Sequence, residues 1–447
     1  MRHGPFRRFR RVSAALAASL ALLAAPGAKA QSLLRDAEIE HALGMVAAPV
    51  LQSSGLGRGA VRFLVVGDRS LNAFVGDQQH IFLHSGLILK LDSPDELQGV
   101  MAHELAHITN GHVARRMTNL RSASQAARLG LVLALAAAVA GGADAGVGVA
   151  AGTQSAAMRR FFAHTRAEET AADLTAARTM AGAGIDPEAM LRVLEIFRGQ
   201  EALSSSLQDP YVLTHPLTRD RIRAIKGQAA ALGDRARPAP AETRYWYARA
   251  TTKLSAFLRN PSWTLRRFDR ADRGEIATLA RAIAYHRMPK PDEAIRHADG
   301  LIRARPNDPY YHELKGQILL ESGRAGPAIT SYSRAARLAP NEPLILAGLG
   351  RAQLAGGQAR AALESLTRAR ARDPHDPVML RDLAVAYART GDNGMASVAT
   401  AERYAVMGRL EDAAIHAKRA SGLVPRGSPG WLRAQDVLGA AKQAARK

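Results

Sequence analysis

Residues Leu97 to Thr109 read L-Q-G-V-M-A-H-E-L-A-H-I-T, and His103-Glu104-Leu105-Ala106-His107 inside them decides how the first half of the chain is read. The apolar spacing predicts a helix. Four residues turn an α-helix by about 400°, so His103 and His107 stack on one face, one turn apart. Two imidazoles so placed can share one Zn²⁺, and Glu104 can stand beside a water on that metal. Chance placement on an amphipathic helix would give the same five letters, so the surrounding residues must carry the argument.

Upstream, Ser93-Pro94-Asp95-Glu96 is a helix start. Ser93 serves as N-cap, Pro94 takes the first helical position and Glu96 sits where a capping box places its acid. The helix is expected to run to about Asn110-Gly111. A third ligand has to come from further on. His112 lies nine residues after His103, about 900° of rotation, which on a continuing helix is the opposite face. The extended motif with a third histidine needs it ten residues after the first. His112 is therefore expected at the surface or behind a ligand, not on the metal.

Glu169-Thr170-Ala171-Ala172-Asp173 fits better. It falls in an Ala-rich stretch from Met158 to Gly182 that is expected to be helical, so Glu169 and Asp173 share a face. Glu169 would complete a His₂Glu site with a fourth position left for water. Asp173 would accept the free N–H of a ligand histidine and fix its tautomer. Two solvated acids on a helix are the plainer alternative, and Glu168 next door would serve it equally well.

Ahead of the histidine helix, Asp36 to Gln52 reads as a first helix and Val61 to Val66 as a strand. Leu71 to Val75 and His80 to Leu83 give two more short strands around the Gly76-Asp77 turn. The segment from Asn72 to Leu83, above all Asn72, Ala73, Phe74 and Val75, is the candidate edge to which an extended peptide could add. A plain hairpin packed on the helices is the alternative. Between the two site helices, residues 129–152 (LGLVLALAAAVAGGADAGVGVAAG) are too interrupted for a membrane span. They are expected to form a buried helix and a Gly-rich lid, with membrane contact as the other reading.

The 447 residues carry 61 Lys+Arg against 40 Asp+Glu, a net charge of +21, and no cysteine. That excludes disulfides, thiol nucleophiles and thiolate ligands, so any metal is held by nitrogen and oxygen. Arg2, Arg7, Arg8, Arg10 and Arg11 precede an apolar run, Val12 to Ala25, and Ala28-Lys29-Ala30 ends it in an A-x-A cleavage pattern. This is a secretory signal peptide over residues 1–30, directing the chain to the periplasm; an uncleaved anchor is the alternative. The remaining basic excess suits acidic partners or peripheral contact with an anionic membrane surface, although a solvated basic surface accounts for it as well. With 5% aromatic residues and no recognition motif, no nucleic-acid partner is expected.

After an Arg/Pro/Ala-rich stretch, residues 236–244, a period appears. Pro306, Pro340 and Pro374 are 34 apart; so are Ala282, Gly316, Gly350 and Ala384, and so are Ala294, Ala328, Ala362 and Ala396. Small residues at fixed offsets with a closing proline at that period are a tetratricopeptide (TPR) ladder. A further repeat around Tyr404 to Ala414 reads as shifted by an insertion near Asp392-Asn393-Gly394, with Gly427 to Lys447 as a capping helix. The expected architecture is mainly α: an HExxH, gluzincin-type helical domain with a small β-sheet over residues 31–235, a helical linker over 236–270, and an α-solenoid of TPR repeats over 271–447. The groove of such a solenoid usually binds another protein.

Taken together, His103-Glu104-x-x-His107, Glu169-x-x-x-Asp173 and the late His215-Pro216…Arg221 resemble the zinc metallopeptidases related to CAAX-prenyl proteases and HtpX. With the signal peptide and the repeats, the chain most resembles the periplasmic BepA-type protease-chaperones. The resemblance implies one Zn²⁺ per chain on His103, His107 and Glu169, with Glu104 as general base. It also implies that His215 can take the fourth metal position and hold the enzyme latent; His215 and Arg221 are the candidates for helping an oxyanion. It further implies misfolded or stalled outer-membrane proteins as substrates and the outer-membrane assembly machinery as partner. The alternative role is a TPR chaperone or assembly factor with a rarely used peptidase site.

Overall fold

The computed structural model describes residues 33–57, 59–116, 165–204, 207–269 and 271–445. The expected signal peptide, the expected lid at 129–152 and the start of the Met158–Gly182 helix lie outside these residues. No helix among the described residues is long and apolar enough to cross a membrane.

The first half builds a small sheet against helices. Its strands are β1 (Leu33–Leu34), β2 (Arg62–Val66), β3 (Ala73–Val75) and β4 (His80–His84), in the order β1-β2-β4-β3. β2 and β4 pair in parallel, with Leu64 opposite Phe82, while β3 pairs antiparallel to β4, with Phe74 opposite Phe82. β3 is thus an edge strand, in the segment whose sequence reads as one. Helices α1 (Ala37–Ser53), α2 (Ser85–Lys90), α3 (Pro94–Thr109), α4 (Arg166–Gly182) and α5 (Glu188–Ile196) follow, then α6 (Pro210–Thr214) and α7 (Arg219–Leu232).

One apolar core, including Leu43, Val65, Leu83, Met101, Leu105, Met180 and Phe197, joins the sheet to α1, α3, α4 and α5. The start of α3 follows its sequence: Ser93 Oγ accepts the Glu96 N–H at 3.2 Å and Pro94 takes the first turn. The second half of the capping box is displaced by one residue, because Glu96 Oε2 accepts from the Asp92 N–H at 2.8 Å. At the far end, Asn110 closes the helix and Gly111 turns the chain at φ +71°.

Helices α8 (Ala241–Leu258) and α9 (Pro261–Arg267) lead into the solenoid. Its helices pair as α10 (Glu275–Arg287) with α11 (Pro291–Ala304), α12 (Pro309–Glu321) with α13 (Ala325–Leu338), and α14 (Pro343–Ala355) with α15 (Ala359–Arg372). Next come α16 (Pro377–Arg389), α17 (Asn393–Val406), α18 (Leu410–Leu423) and α19 (Pro429–Ala445). The glycines of the ladder are where paired helices touch. A Cβ on Gly316 would lie 2.7 Å from the Tyr332 ring, and one on Gly350 would lie 2.5 Å from Leu366.

The expected insertion near Asp392-Asn393-Gly394 is absent; α17 starts 34 residues after α15, as the period requires. The shift comes later and is half a repeat. From α12 on, each turn inside a helix pair carries a left-handed glycine, Gly323, Gly357 and Gly391, and the next such turn, at Gly408, comes only 17 residues on. Helix α17 therefore closes one pair with α16 and opens another with α18. The ring stacks agree: Tyr285 on His297 between α10 and α11 at 5.5 Å is repeated by Tyr404 on His416 between α17 and α18 at 5.3 Å.

The halves are locked by buried charge. Arg249 of α8, fully buried, reaches Glu38 Oε1 of α1 at 2.5 Å and the carboxylate of Asp308 at the head of α12. Lys253, also fully buried, lies 2.9 Å from Asp36, 3.2 Å from Glu38 and 3.6 Å from Glu313. Arg35 meets Asp373 at 2.7 Å beyond α15. The start of α1 is thus held against the head of α12 and the end of α15. Cover declines along the solenoid: Leu279 is buried in α10, whereas Val378 and Val385 of α16 are 42% and 38% exposed.

Candidate metal centre

His103 and His107 both point their Nε2 atoms inward from α3, 3.1 Å apart. α4 packs beside α3 and brings Glu169 between them: Oε2 is 3.5 Å from His103 Nε2 and Oε1 is 3.3 Å from His107 Nε2. Thr165 starts α4 with a full capping box to Glu168, so Glu168 caps the helix while Glu169, one position on, faces the histidines. His215, at the end of α6, completes a group of four buried residues whose ligand atoms all lie within 4.8 Å of one another.

These atoms fit a metal. Donors about 2.0–2.2 Å from a tetrahedral ion are separated by roughly 3.3–3.6 Å, close to the spacings here. The polar groups also need an explanation. His103, Glu104, His107, Glu169, Asp173, His215 and Arg221 are all 2% exposed or less. Among the described residues neither carboxylate oxygen of Glu104 accepts a hydrogen bond, and Glu169 is faced by His103, His107 and Arg221. Buried carboxylates in that state are costly unless something compensates them. A divalent cation between nitrogen and carboxylate donors supplies that compensation.

The outer side of each ligand is also held. His103 Nδ1 lies 3.0 Å from Asp173 Oδ1. Arg221 of α7 donates to both Asp173 oxygens, at 2.7 and 2.9 Å, and its Nη1 is 2.7 Å from Glu169 Oε2. The same guanidinium donates to the Pro216 carbonyl at 3.0 Å. Arg221 thus braces two acids and the His215 loop from behind. His107 Nδ1 meets His112 Nδ1 at 2.9 Å. His112 is buried, not on the opposite face, because Gly111 breaks the helix and the rotation count stops there. It stays outside the ligand group.

Burial sets the electrostatics, and charge corrects it. Burial pushes the Glu104 carboxyl up to about 7, against the pull of His103. Burial would lower His103, but Asp173 and Glu169 raise it to about 10 in the metal-free chain. Burial takes His107 down to about 4 despite Glu169. Burial also holds His215 well below the usual histidine range. Glu169 goes the other way: burial opposes ionisation, yet the surrounding histidines hold it well below the carboxylate range.

His215 is positioned by residues that sequence reasoning did not single out. Its ring stacks on Tyr211 at 4.5 Å, and Tyr211 stacks on Phe197 at 4.8 Å. Thr214 Oγ1 is 2.9 Å from His215 Nδ1, and the His215 N–H donates to the Tyr211 carbonyl at 2.8 Å. His215 Nε2 comes within 3.4 Å of Glu104 Oε1. The loop is also tied to the edge strand, since the Tyr211 N–H donates to the Leu71 carbonyl at 3.2 Å and Asp209 accepts from the Leu71 N–H at 3.1 Å. A buried Tyr one turn before His215 was the available signal. Ala73 is buried with Asn72, while Phe74 stacks on Phe82 at 5.1 Å.

An HExxH helix, a glutamate from a second helix and a following solenoid make a candidate metal-binding domain joined to TPR repeats. The sequence agrees. Residues 34–229 match peptidase family M48, and residues 279–343 and 319–377 match tetratricopeptide repeat families. The first domain is thus similar to family M48 over somewhat less than half of the chain. It is 36% identical over 167 residues to a putative beta-barrel assembly-enhancing protease of Vibrio cholerae, covering 37% of this chain and 34% of that one. It is 27% identical over 283 residues to the beta-barrel assembly-enhancing protease of Escherichia coli, covering 62% of this chain and 57% of the relative. The chain therefore spans about a third to somewhat over half of these relatives' length. Among solved structures, the TPR protein YrrB, described as having an unusual peptide-binding site, aligns at 18% identity and TM-score 0.32 over 39% of this chain and 91% of its own.

Proposed function

We propose that the chain is a zinc-dependent endopeptidase of the periplasm that acts on misfolded or stalled outer-membrane proteins, with the solenoid recruiting protein partners. The observation that carries the reading is the convergence of His103 Nε2, His107 Nε2 and Glu169 within 3.1–3.5 Å, with buried Glu104 on the same helix. One Zn²⁺ per chain would be held by His103, His107 and Glu169. When bound, it supplies Lewis acidity toward a carbonyl and acidifies water.

The chain's own residues do the rest. Glu104, raised to about 7 by burial, can take a proton from the attacking water and pass it to the leaving amine. Asp173 keeps the His103 proton on Nδ1, leaving Nε2 as donor to the metal. β3, at the edge of the sheet, offers backbone groups at Asn72, Ala73, Phe74 and Val75 to an extended substrate. The names of the relatives support the envelope assignment, and the uncovered face of the solenoid from α16 onward is the part open to an assembly partner. Glu104→Gln should keep the metal and abolish cleavage of an unfolded outer-membrane protein; cleavage at the wild-type rate contradicts the assignment.

His215 favours a second reading, in which the peptidase is latent and the chain works mainly as an assembly factor. It lies fully buried among the ligands and 3.4 Å from Glu104, where water and substrate would have to enter. His215→Ala should raise peptidase activity or self-cleavage. Full rescue of a deletion strain by Glu104→Gln would make the assembly role the dominant one.

A further inference from the structure

The two helix histidines present the same inner atom but different outer partners. His103 turns Nδ1 to a carboxylate, Asp173, at 3.0 Å. His107 turns Nδ1 to a neighbouring imidazole, His112, at 2.9 Å. A neutral histidine that ligates through Nε2 carries its proton on Nδ1, and that proton needs an acceptor. For His107 the acceptor in place is His112 Nδ1. We infer that His112 is a positioning residue of the metal centre, accepting the His107 Nδ1–H so that His107 presents a lone pair on Nε2.

The local backbone is built for this contact. Helix α3 ends at Thr109, and Asn110 N–H closes it on the Ala106 carbonyl at 2.9 Å. Gly111, at φ +71°, reverses the chain and starts a new helical run at 112. The reversal returns His112 toward the histidine face, five residues after His107. Its ring then stands 5.0 Å from that of His107, inclined at 63°, an edge approach that suits an in-plane N–H···N bond. His112 is buried beside His107. A His at this position needs Nε2 protonated to leave Nδ1 free to accept, which fixes the tautomer of both rings. The two ligands are thereby unequal: a carboxylate makes His103 the more basic ligand, and a neutral imidazole orients His107 without adding charge.

This inference rests on the metal centre proposed above, and its test separates the two. Zn²⁺ affinity of the full chain is measured by chelator competition for wild type, His112→Phe and His112→Asn. Phenylalanine keeps the ring and its packing but has no acceptor; asparagine places an amide oxygen near the position of Nδ1. The expected result is a loss of about 10–100-fold for His112→Phe, the usual cost of removing a partner behind a ligand, and recovery of most of it in His112→Asn. Thermal unfolding of the metal-free variants distinguishes loss of a ligand partner from loss of fold, and a His112→Phe chain that unfolds leaves the comparison of His112→Asn with His112→Asp, both acceptors that should bind as wild type. Equal affinity of wild type and His112→Phe, or equal weakness of the acceptor-bearing variants, overturns the role of His112. A wild-type chain that binds no zinc overturns the metal centre itself.

Discussion

The two halves of this chain are stabilised in opposite ways. The peptidase half has one main core, running from Ile39 to Leu254, with a small separate cluster of Leu64, Val66 and Phe82, and a dense group of buried polar residues sits beside it. The solenoid has several smaller cores built from neighbouring helices, one around Leu279 to Ile318, one around Tyr310 to Ala399 and one around Val398 to Val437. In the first, distant residues depend on one another; in the second, each helix pair depends mainly on its neighbours. Local damage should therefore stay local in the solenoid and spread in the peptidase half.

The largest expected effect is at the site. Glu169→Ala removes a ligand and leaves Arg221 facing the histidines, so zinc affinity should fall by more than the roughly 10–100-fold cost of losing an outer partner. Equilibrium dialysis against zinc checks this, and wild-type affinity would remove Glu169 from the ligand set. Next is the joint between the halves. Arg249→Ala leaves fully buried Glu38 with Lys253 alone and takes the partner from half-buried Asp308, and breaking such a buried pair costs up to about 3–5 kcal/mol. Chemical denaturation should show the two halves unfolding in separate steps; a single unshifted transition would mean that the network does not couple them.

Smaller changes are expected within the solenoid. Gly350→Val drives a Cβ into Leu366, and overpacking of this kind costs about 1–3 kcal/mol. Hydrogen exchange should rise in α14 and α15 while zinc binding stays unchanged; protection lost at α3 would contradict nearest-neighbour behaviour. Val385→Ser, on the uncovered face of α16, should change stability by about 0.5 kcal/mol or less.

The same contrast governs what could be read from sequence. The solenoid was legible because its period repeats the evidence: three ladders of small residues and prolines point to one register. Its half-repeat slip at Gly408 was not, because α17 keeps the period while changing partners, and only the positive φ at Gly408 and the Tyr404–His416 stack reveal it. In the peptidase half, His103, His107, Glu169 and Asp173 were legible from helical spacing. His112 takes the expected place behind a histidine and outside the ligand group, but the rotation count that sets it on the opposite face fails because the helix ends at Gly111. The support of His215 by Tyr211, Phe197 and Thr214 had no periodic signature, since these contacts join α5, α6 and the edge strand across the fold.

The central claim is that Glu104 performs hydrolysis at a metal held by His103, His107 and Glu169, beneath His215. It is tested most directly by measuring zinc content and cleavage of an unfolded outer-membrane protein on the same preparations of His215→Ala and of His215→Ala combined with Glu104→Gln. The account predicts about one zinc per chain in both and cleavage only where Glu104 is intact. Cleavage by the doubly substituted chain, or cleavage by a chain that holds no metal, would contradict it.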